Sequence, residues 1–324
     1  MAEHFKKYDD IENSYRGKWV QQVQAHALQE EMKVTWDVQE KIHGSNFSII
    51  YDVSAETLTF AKRTSVLEEN ATFFNFAHRK GEWSELMCNL VDLLPEATTY
   101  ITVWGELCGG KYLNMKPNHK KVKPVQKGVE YSPNLEFFVF DVVVDGAYLD
   151  LNRALELAKQ AGFHVIPVLA SFDTLQEALQ YPNAFQSGIP VLLDLPKHSG
   201  DNVCEGVVIK ARKTFYVKGR RAVFKNKNET FAEKQKAPRK PRKPKEQQPT
   251  PFPELMDYVT VQRYDNVVSK LGPDANIGEL GRTLAEDVVQ DYRKDHEEET
   301  NEKELYRSAA RLAFPLVKAQ LHHK

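Results

Sequence analysis

The chain has 324 residues, a formal net charge of −1, 41% hydrophobic and 27% charged residues. At about 100–200 residues per domain this length predicts two domains, one large and one small, with enough chain for a core that needs no metal or disulfide staple. A mean hydropathy of −0.53 and the lack of any apolar run near the ~18 residues of a spanning helix exclude a membrane helix.

No apolar stretch follows the first charges, Met1-Ala2-Glu3-His4-Phe5-Lys6-Lys7, so no secretory signal is expected. Cys88, Cys108 and Cys204 are odd in number and lack metal-ligand spacing. They read as reduced thiols of a cytoplasmic protein, in which the sequons at Asn46, Asn70 and Asn228 carry no sugar. No protein partner is evident and nothing demands a dimer, so a monomer is expected.

In chain order, Trp36 and Val38 share one face of a predicted strand over 35–39. Phe47, Ile49 and Tyr51 alternate in the next, and 57–62 completes a hairpin or meander. Further strands are predicted at 100–104, at 135–144 (closed by Asp145-Gly146), at 206–210 and at 221–227. Leu151, Leu155, Ala158 and Ala161 share a helical face, with Gly162 as its C-cap. The first 235 residues thus read as an α+β, largely antiparallel domain.

From Lys234 to Lys245 there are seven basic residues and no acid, and six prolines fall between Pro238 and Pro253. Proline at that density predicts an extended connector over 236–253. It is either a phosphate-binding arm with salt-dependent grip or a plain spacer; contact with RNA is the favoured reading. Beyond it, over 254–324, Val259, Val267, Val268 and Leu271 fit one helix ended by Gly272-Pro273. Leu280, Leu284 and Val288 fit a second. Leu305, Ala309, Leu312 and Leu316 fit a third that Pro315 should bend or split. A small all-helical domain follows.

The chemistry gathers around Glu40-Lys41-Ile42-His43-Gly44-Ser45-Asn46, at the junction of two strands. Lys41 is either an exposed turn lysine or a nucleophile. A lysine with an ordinary pKa near 10.4 is neutral about once in 2,000 at pH 7, so the second reading needs surroundings that favour the free amine. Lys225 and Lys227, two apart, share one face of a strand, either as a solvated edge or as partners of a polyphosphate. Glu106, Asp141 and Glu205 flank apolar strands, where they either meet solvent or hold a ribose hydroxyl or a hydrated cation. Phe140 is a core residue or a platform for a base; alternation sets it and Asp141 on opposite faces. Gly105-Glu106-Leu107-Cys108-Gly109-Gly110-Lys111 has P-loop spacing, but Tyr112 replaces the needed Ser or Thr and Pro117 spoils the helix, so that reading is rejected.

Lys41-Ile42-His43-Gly44 resembles motif I of the covalent nucleotidyltransferases, and its His-Gly ending resembles the RNA ligase 2 family. Trp104-Gly105-Glu106, Phe138-Val139-Phe140-Asp141, Glu205-Gly206-Val207-Val208-Ile209-Lys210 and Val223-Phe224-Lys225-Asn226-Lys227 follow in that family's order. Phe5-Lys6-Lys7-Tyr8 and Tyr258-Val259-Thr260 extend the likeness across nearly the whole chain. The stretch Cys108-Gly109-Gly110-Lys111 and the long basic connector depart from the family pattern.

The resemblance implies a nucleotidyltransferase fold and an ATP-dependent RNA ligase with magnesium or manganese, acting on nicked duplex RNA or broken RNA ends. By it, Lys41 takes AMP from ATP, Glu40 and Ile42 position the adenine, Phe140 stacks on it, and Glu106 holds the ribose. Arg63 and Asn46 serve the phosphate side, and Lys225 and Lys227 grip the transferring phosphate. Glu205, with Asp141, organises a metal through water, and His43 acts in a later step or steadies the turn. A DNA ligase, a GTP-dependent capping enzyme and a non-catalytic nucleic-acid binding module are the alternatives.

Overall fold

Strand is the commonest regular structure in the larger part of the chain, and the computed structural model describes residues 4–232, 251–296 and 301–322. In chain order the strands and helices run β1 (Glu12–Asn13), α1 (Gly17–Gln29), β2 (Trp36–Glu40), β3 (Ser45–Asp52), β4 (Thr57–Lys62) and β5 (Ser65–Val66). A 3-10 segment at Phe73–Arg79 leads into α2 (Lys80–Asp92), β6 (Tyr100–Lys111), β7 (Ser132–Val144), β8 (Ala147–Tyr148) and α3 (Leu151–Gln160). Then come β9 (His164–Val165), β10 (Val168–Phe172), α4 (Leu175–Leu179) and α5 (Ile189–Leu192). The larger unit ends with β11 (Gly206–Ala211), β12 (Tyr216–Val217), β13 (Arg220–Arg221) and β14 (Val223–Lys227). Helices α6 (Val261–Leu271), α7 (Ile277–Asp295) and α8 (Glu302–His322) follow.

Contacts divide the chain into Met1–Asn228 and Glu229–Lys324. In the first unit, one sheet runs β1-β14-β11-β2-β10 and a second runs β5-β4-β3-β6-β7-β8, with β9 beside β7. Apart from β1 on β14 and β9 on β7, the pairings are antiparallel. Each sheet has its own core. Trp36 and Val38 of β2 pack with Val207 and Ile209 of β11 and with Trp19 and Val23 of α1. Phe47 and Ile49 of β3 pack with Val103 of β6, Val139 of β7, Trp83 of α2 and Leu157 of α3. The fold is the expected α+β arrangement.

The four residues Lys41–Gly44 carry the chain from the end of β2 in one sheet to the start of β3 in the other. The Lys41 N–H still donates to the Gly206 carbonyl at 2.8 Å, and the His43 N–H donates to the buried Tyr131 hydroxyl at 2.8 Å. A Cβ on Gly44 would meet the Leu107 carbonyl oxygen at 2.1 Å, so this crossing has room only for glycine.

Several sequence expectations are corrected in detail. The strand expected at 100–104 continues to Lys111 because bulges after Trp104 and Gly109 absorb the strain of a long ladder. The strand expected at 221–227 is divided: Arg221 pairs with β12, and Val223–Lys227 pairs with β11. In α3, Ala154 and Leu157 join Leu151 and Ala158 in the core, while Leu155 is only half-buried.

In the second unit Thr260 caps α6, accepting from the Arg263 N–H, which leaves Val259 outside the helix. Asn276 and Glu279 form a reciprocal capping box at the start of α7. α8 runs unsplit through Pro315, with Leu305, Ala309, Ala313 and Val317 buried against α6 and α7. Buried Arg263 ties the helices together, reaching Asp291 at 2.8 Å and the Tyr258 carbonyl at 3.0 Å. The basic connector, apart from 251–253, lies outside the described residues. No helix among the described residues is long and apolar enough to cross a membrane.

Candidate active site

At the junction of the two sheets the Lys41 Nζ lies 2.7 Å from Glu205 Oε2, and the Lys227 Nζ lies 2.8 Å from Glu205 Oε1. His43 Nδ1 is 3.5 Å from Oε2 of the same carboxylate. Glu205 is 1% exposed. Burial alone would raise its pKa, but Lys227, Lys41 and His43 together hold it well below the usual carboxylate range. Strand pairing makes this geometry: Gly206 is the partner of Lys227 across β11 and β14, and Val207 is the partner of Glu40 across β11 and β2. Residues some 160 apart in sequence therefore converge because their strands are neighbours.

Two further carboxyls flank the cluster. Glu40, 2% exposed, accepts from the Ser187 hydroxyl at 2.6 Å and from the Gly188 N–H at 2.9 Å. Burial pushes its pKa up to about 7 despite both bonds. Glu106 is also pushed up by burial to about 7, against the pull of Lys41 and Arg63 and a hydrogen bond from the Gly44 N–H. Asn46 stands opposite Glu106 in the β3–β6 register, and its Oδ1 is enclosed without a hydrogen-bond partner. An enclosed amide oxygen without a partner is a place prepared for a donor. Ile42 is buried beside them.

Arg63 follows β4 and ion-pairs with Asp10 at 2.6 Å while its charge is felt at Glu106. Lys225, half-buried, stands opposite Val208 on β11. The structure therefore assembles Lys41, His43, Glu205 and Lys227 by direct contact, with Glu106 and Arg63 within electrostatic reach.

Asp141 has other partners. It faces a different cluster: its Oδ1 is 3.2 Å from the Lys210 Nζ, and its Oδ2 is 2.6 Å from Arg221 and accepts from the Tyr8 hydroxyl. Arg221 and Lys210 hold its carboxyl below the usual range. Asp141 is thus held by Lys210, Arg221 and Tyr8, none of which is a partner of Glu205. Alternation fails here. Trp104 pairs with Asp141 and Gly105 with Val139, so Phe140 is the extra residue of a bulge. Phe140 and Asp141 thus both reach Tyr8, the rings meeting edge-on at 5.2 Å. The Lys210 ammonium stands 5.1 Å from the half-buried Phe140 ring and donates to the Phe140 carbonyl at 2.7 Å.

Sequence reasoning gave no role to Ser187, Tyr131 or Arg221. The only local signal was Lys210, a cation inside the apolar run of β11.

Among the described residues no group of three or more His, Cys, Asp or Glu side chains could hold a metal ion directly. A single buried carboxylate such as Glu205 fits a magnesium or manganese ion that keeps most of its waters and takes its other oxygens from phosphates.

A family model described as RNA ligase matches residues 34–227, more than half of the chain, and one described as T4 RNA ligase 2 C-terminal matches residues 242–308. The chain is 30% identical over 207 residues to the mitochondrial RNA-editing ligase 1 of Trypanosoma brucei brucei, covering 54% of this chain and 44% of that protein. It is 25% identical over 236 residues to RNA-editing ligase 2 of the same organism, covering 64% and 55%. The chain thus spans about half the length of these curated relatives. Among solved structures it is similar to an apo mutant of Naegleria gruberi RNA ligase (TM-score 0.48, 17% identity, 71% of this chain and 57% of that one). A mutant of the same ligase with ATP and Mn gives a TM-score of 0.47 at 16% identity, covering 71% and 58%. By the match over residues 34–227, this chain belongs to the RNA ligase family.

Proposed function

We propose that this protein is an ATP-dependent RNA ligase that joins 3′-hydroxyl and 5′-phosphate RNA ends at nicks in duplex RNA. The observation that carries the reading is the placement of Lys41 and Lys227 on the two oxygens of one buried carboxylate. In the first step the Lys41 Nζ bonds to the α-phosphorus of ATP, the bond to pyrophosphate breaks, and the amine proton passes to solvent. Lysine suits this step because its amine can be deprotonated, whereas a guanidinium stays charged. The Lys41–Glu205 ion pair has to part first, and an arriving anionic triphosphate offers Lys227 and Lys225 an alternative partner.

Lys227 and Lys225 neutralise charge that grows on the transferring phosphoryl group. Arg63 contacts phosphate in exchange for Asp10. Glu106 accepts from the ribose, and Glu40 and Ile42 position the adenine. Phe140 offers the exposed part of its ring for stacking. Glu205 would hold a hydrated magnesium or manganese ion through water, which when bound would supply charge neutralisation at the phosphates, and Asn46 would serve the phosphate side. His43, on the same carboxylate, then serves transfer of AMP to the RNA 5′-phosphate. An RNA 3′-hydroxyl displaces AMP to seal the strand. All three cysteines are free thiols, which supports a reducing and, in our reading, cytoplasmic setting.

Incubation with α-labelled ATP or GTP and magnesium, followed by denaturation, tests the reading. Label from ATP on the protein, absent in Lys41→Ala, is expected. Label from GTP alone points to a capping enzyme, and no label from either points to a binding module. Label that survives Lys41→Ala names the wrong nucleophile. Sealing of a nicked RNA duplex in preference to a nicked DNA duplex tests the substrate.

A further inference from the structure

A basic surface lies apart from the lysines of the active site. Between Leu107 and Val129 the chain carries six lysines and no Asp or Glu, although its net charge is −1. Lys111, Lys116, Lys120, Lys121, Lys123 and Lys127 are all exposed. Lys111 pairs with Glu130 at 2.6 Å; among the described residues the other five have no acidic partner.

The loop that carries them, between β6 and β7, is pinned to the fold. Buried Tyr112 donates to the Pro196 carbonyl, and the Leu113 N–H donates to Glu130 at 2.7 Å. The Val125 N–H donates to the Gly109 carbonyl at 3.0 Å, and the Asn118 N–H to Asn134 Oδ1 at 2.8 Å. His119 stacks on His78 with ring centroids 4.5 Å apart. A fixed row of like charges repels itself and gains nothing from its own acids, so its natural complement is a polyanion. Its place in the fold says which polyanion: β6 carries Glu106 at the active site, and Lys111 is five residues further along, roughly 17 Å at strand rise.

We infer that this loop binds the phosphate backbone of duplex RNA flanking the ends to be joined, through Lys116, Lys120, Lys121 and Lys123. An A-form duplex is recognised by its shape and phosphates rather than its sequence, which matches a row of exposed ammonium groups whose one intervening ring, His119, is stacked on His78. The inference rests on the ligase reading for its substrate.

The test compares full-length wild type with the triple variant Lys120→Gln, Lys121→Gln, Lys123→Gln. Binding of a nicked RNA duplex bearing a 5′-phosphate is followed by fluorescence anisotropy across a salt titration, with self-adenylylation measured in parallel. The variant is expected to adenylylate normally. It should bind the duplex about 10²-fold more weakly near ~0.1 M salt, with the log–log salt slope shallower by about 2–3. An unchanged slope and affinity, the result expected of a loop that docks an acidic protein, overturns the inference. If the triple variant loses adenylylation through misfolding, the double variant Lys116→Gln, Lys120→Gln decides, with a slope shallower by about 2 expected. Failure of wild type to adenylylate defeats the ligase reading, while the salt slopes still judge the loop.

Discussion

The carboxylate of Glu205 is shared between Lys41 and Lys227, one oxygen to each ammonium, at 2.7 and 2.8 Å. Neither lysine's position is independent of the other. Removing Lys227 takes away a cation that would face the transferring phosphate but leaves Glu205 paired with Lys41 and His43. Lys227→Ala is therefore expected to slow self-adenylylation by about 10²- to 10³-fold, the scale seen when one preorganised electrostatic donor is lost. Thermal unfolding should change little by comparison; an unfolded variant would make this lysine structural.

The buried Asp141 balances Arg221 and Lys210. Asp141→Ala leaves two buried cations uncompensated, and a loss of about 3–5 kcal/mol is expected. Tyr8→Phe removes only a hydroxyl from that carboxylate and should cost about 0.5–1.5 kcal/mol. Urea unfolding measures both. The magnesium concentration that half-saturates self-adenylylation should be the same in Tyr8→Phe as in wild type; a shift would give Asp141 a part in holding the metal.

The pH dependence of stability has a defined sign at Glu40. Its pKa is 4.5 before folding and about 7 in the fold. Across that window the folded chain holds a proton that the unfolded chain has released, so stability falls as pH rises, by about 1.4 kcal/mol per pH unit. Glu40→Gln removes this slope. It should be more stable than wild type above pH ~7 by on the order of 3 kcal/mol, and nearly equal to it near pH ~4.5. Glu205 works the other way: its depressed pKa gives stability present above the usual glutamate value and lost as pH falls into the acid range. Chemical denaturation at several pH values separates the two.

Gly44 is tested by one methyl group. Gly44→Ala drives a Cβ into the Leu107 carbonyl oxygen, a backbone atom that cannot rotate away. A destabilisation of about 1–3 kcal/mol is expected. Adenylylation should fall further than stability does, because the shift falls between Lys41 and β3. Equal falls in folding and activity would make Gly44 purely structural.

Removal of the helical unit after Pro253 should spare self-adenylylation and weaken nick sealing, since the active-site groups all lie within Met1–Asn228. Equal sealing by the full and shortened chains would leave α6–α8 without a part in engaging RNA.

By itself the sequence determined the strand-rich unit, the helical tail and the segment around the proposed nucleophile. Alternation and helical spacing are local properties, and Lys41-Ile42-His43-Gly44 is a local motif. What it left undecided depends on which strands lie side by side. That Glu205 touches both Lys41 and Lys227 follows from the β2–β11–β14 order, which no segment encodes alone. The partners of Asp141 were not legible for the same reason: Tyr8, Lys210 and Arg221 come from three distant segments. The separation of Phe140 from Asp141 failed because one bulged residue resets alternation, and pairing partners, not the residues themselves, reveal a bulge. Which buried carboxylates stay charged was settled by tertiary structure as well, because a carboxylate's charge in the interior depends on cations brought beside it by packing.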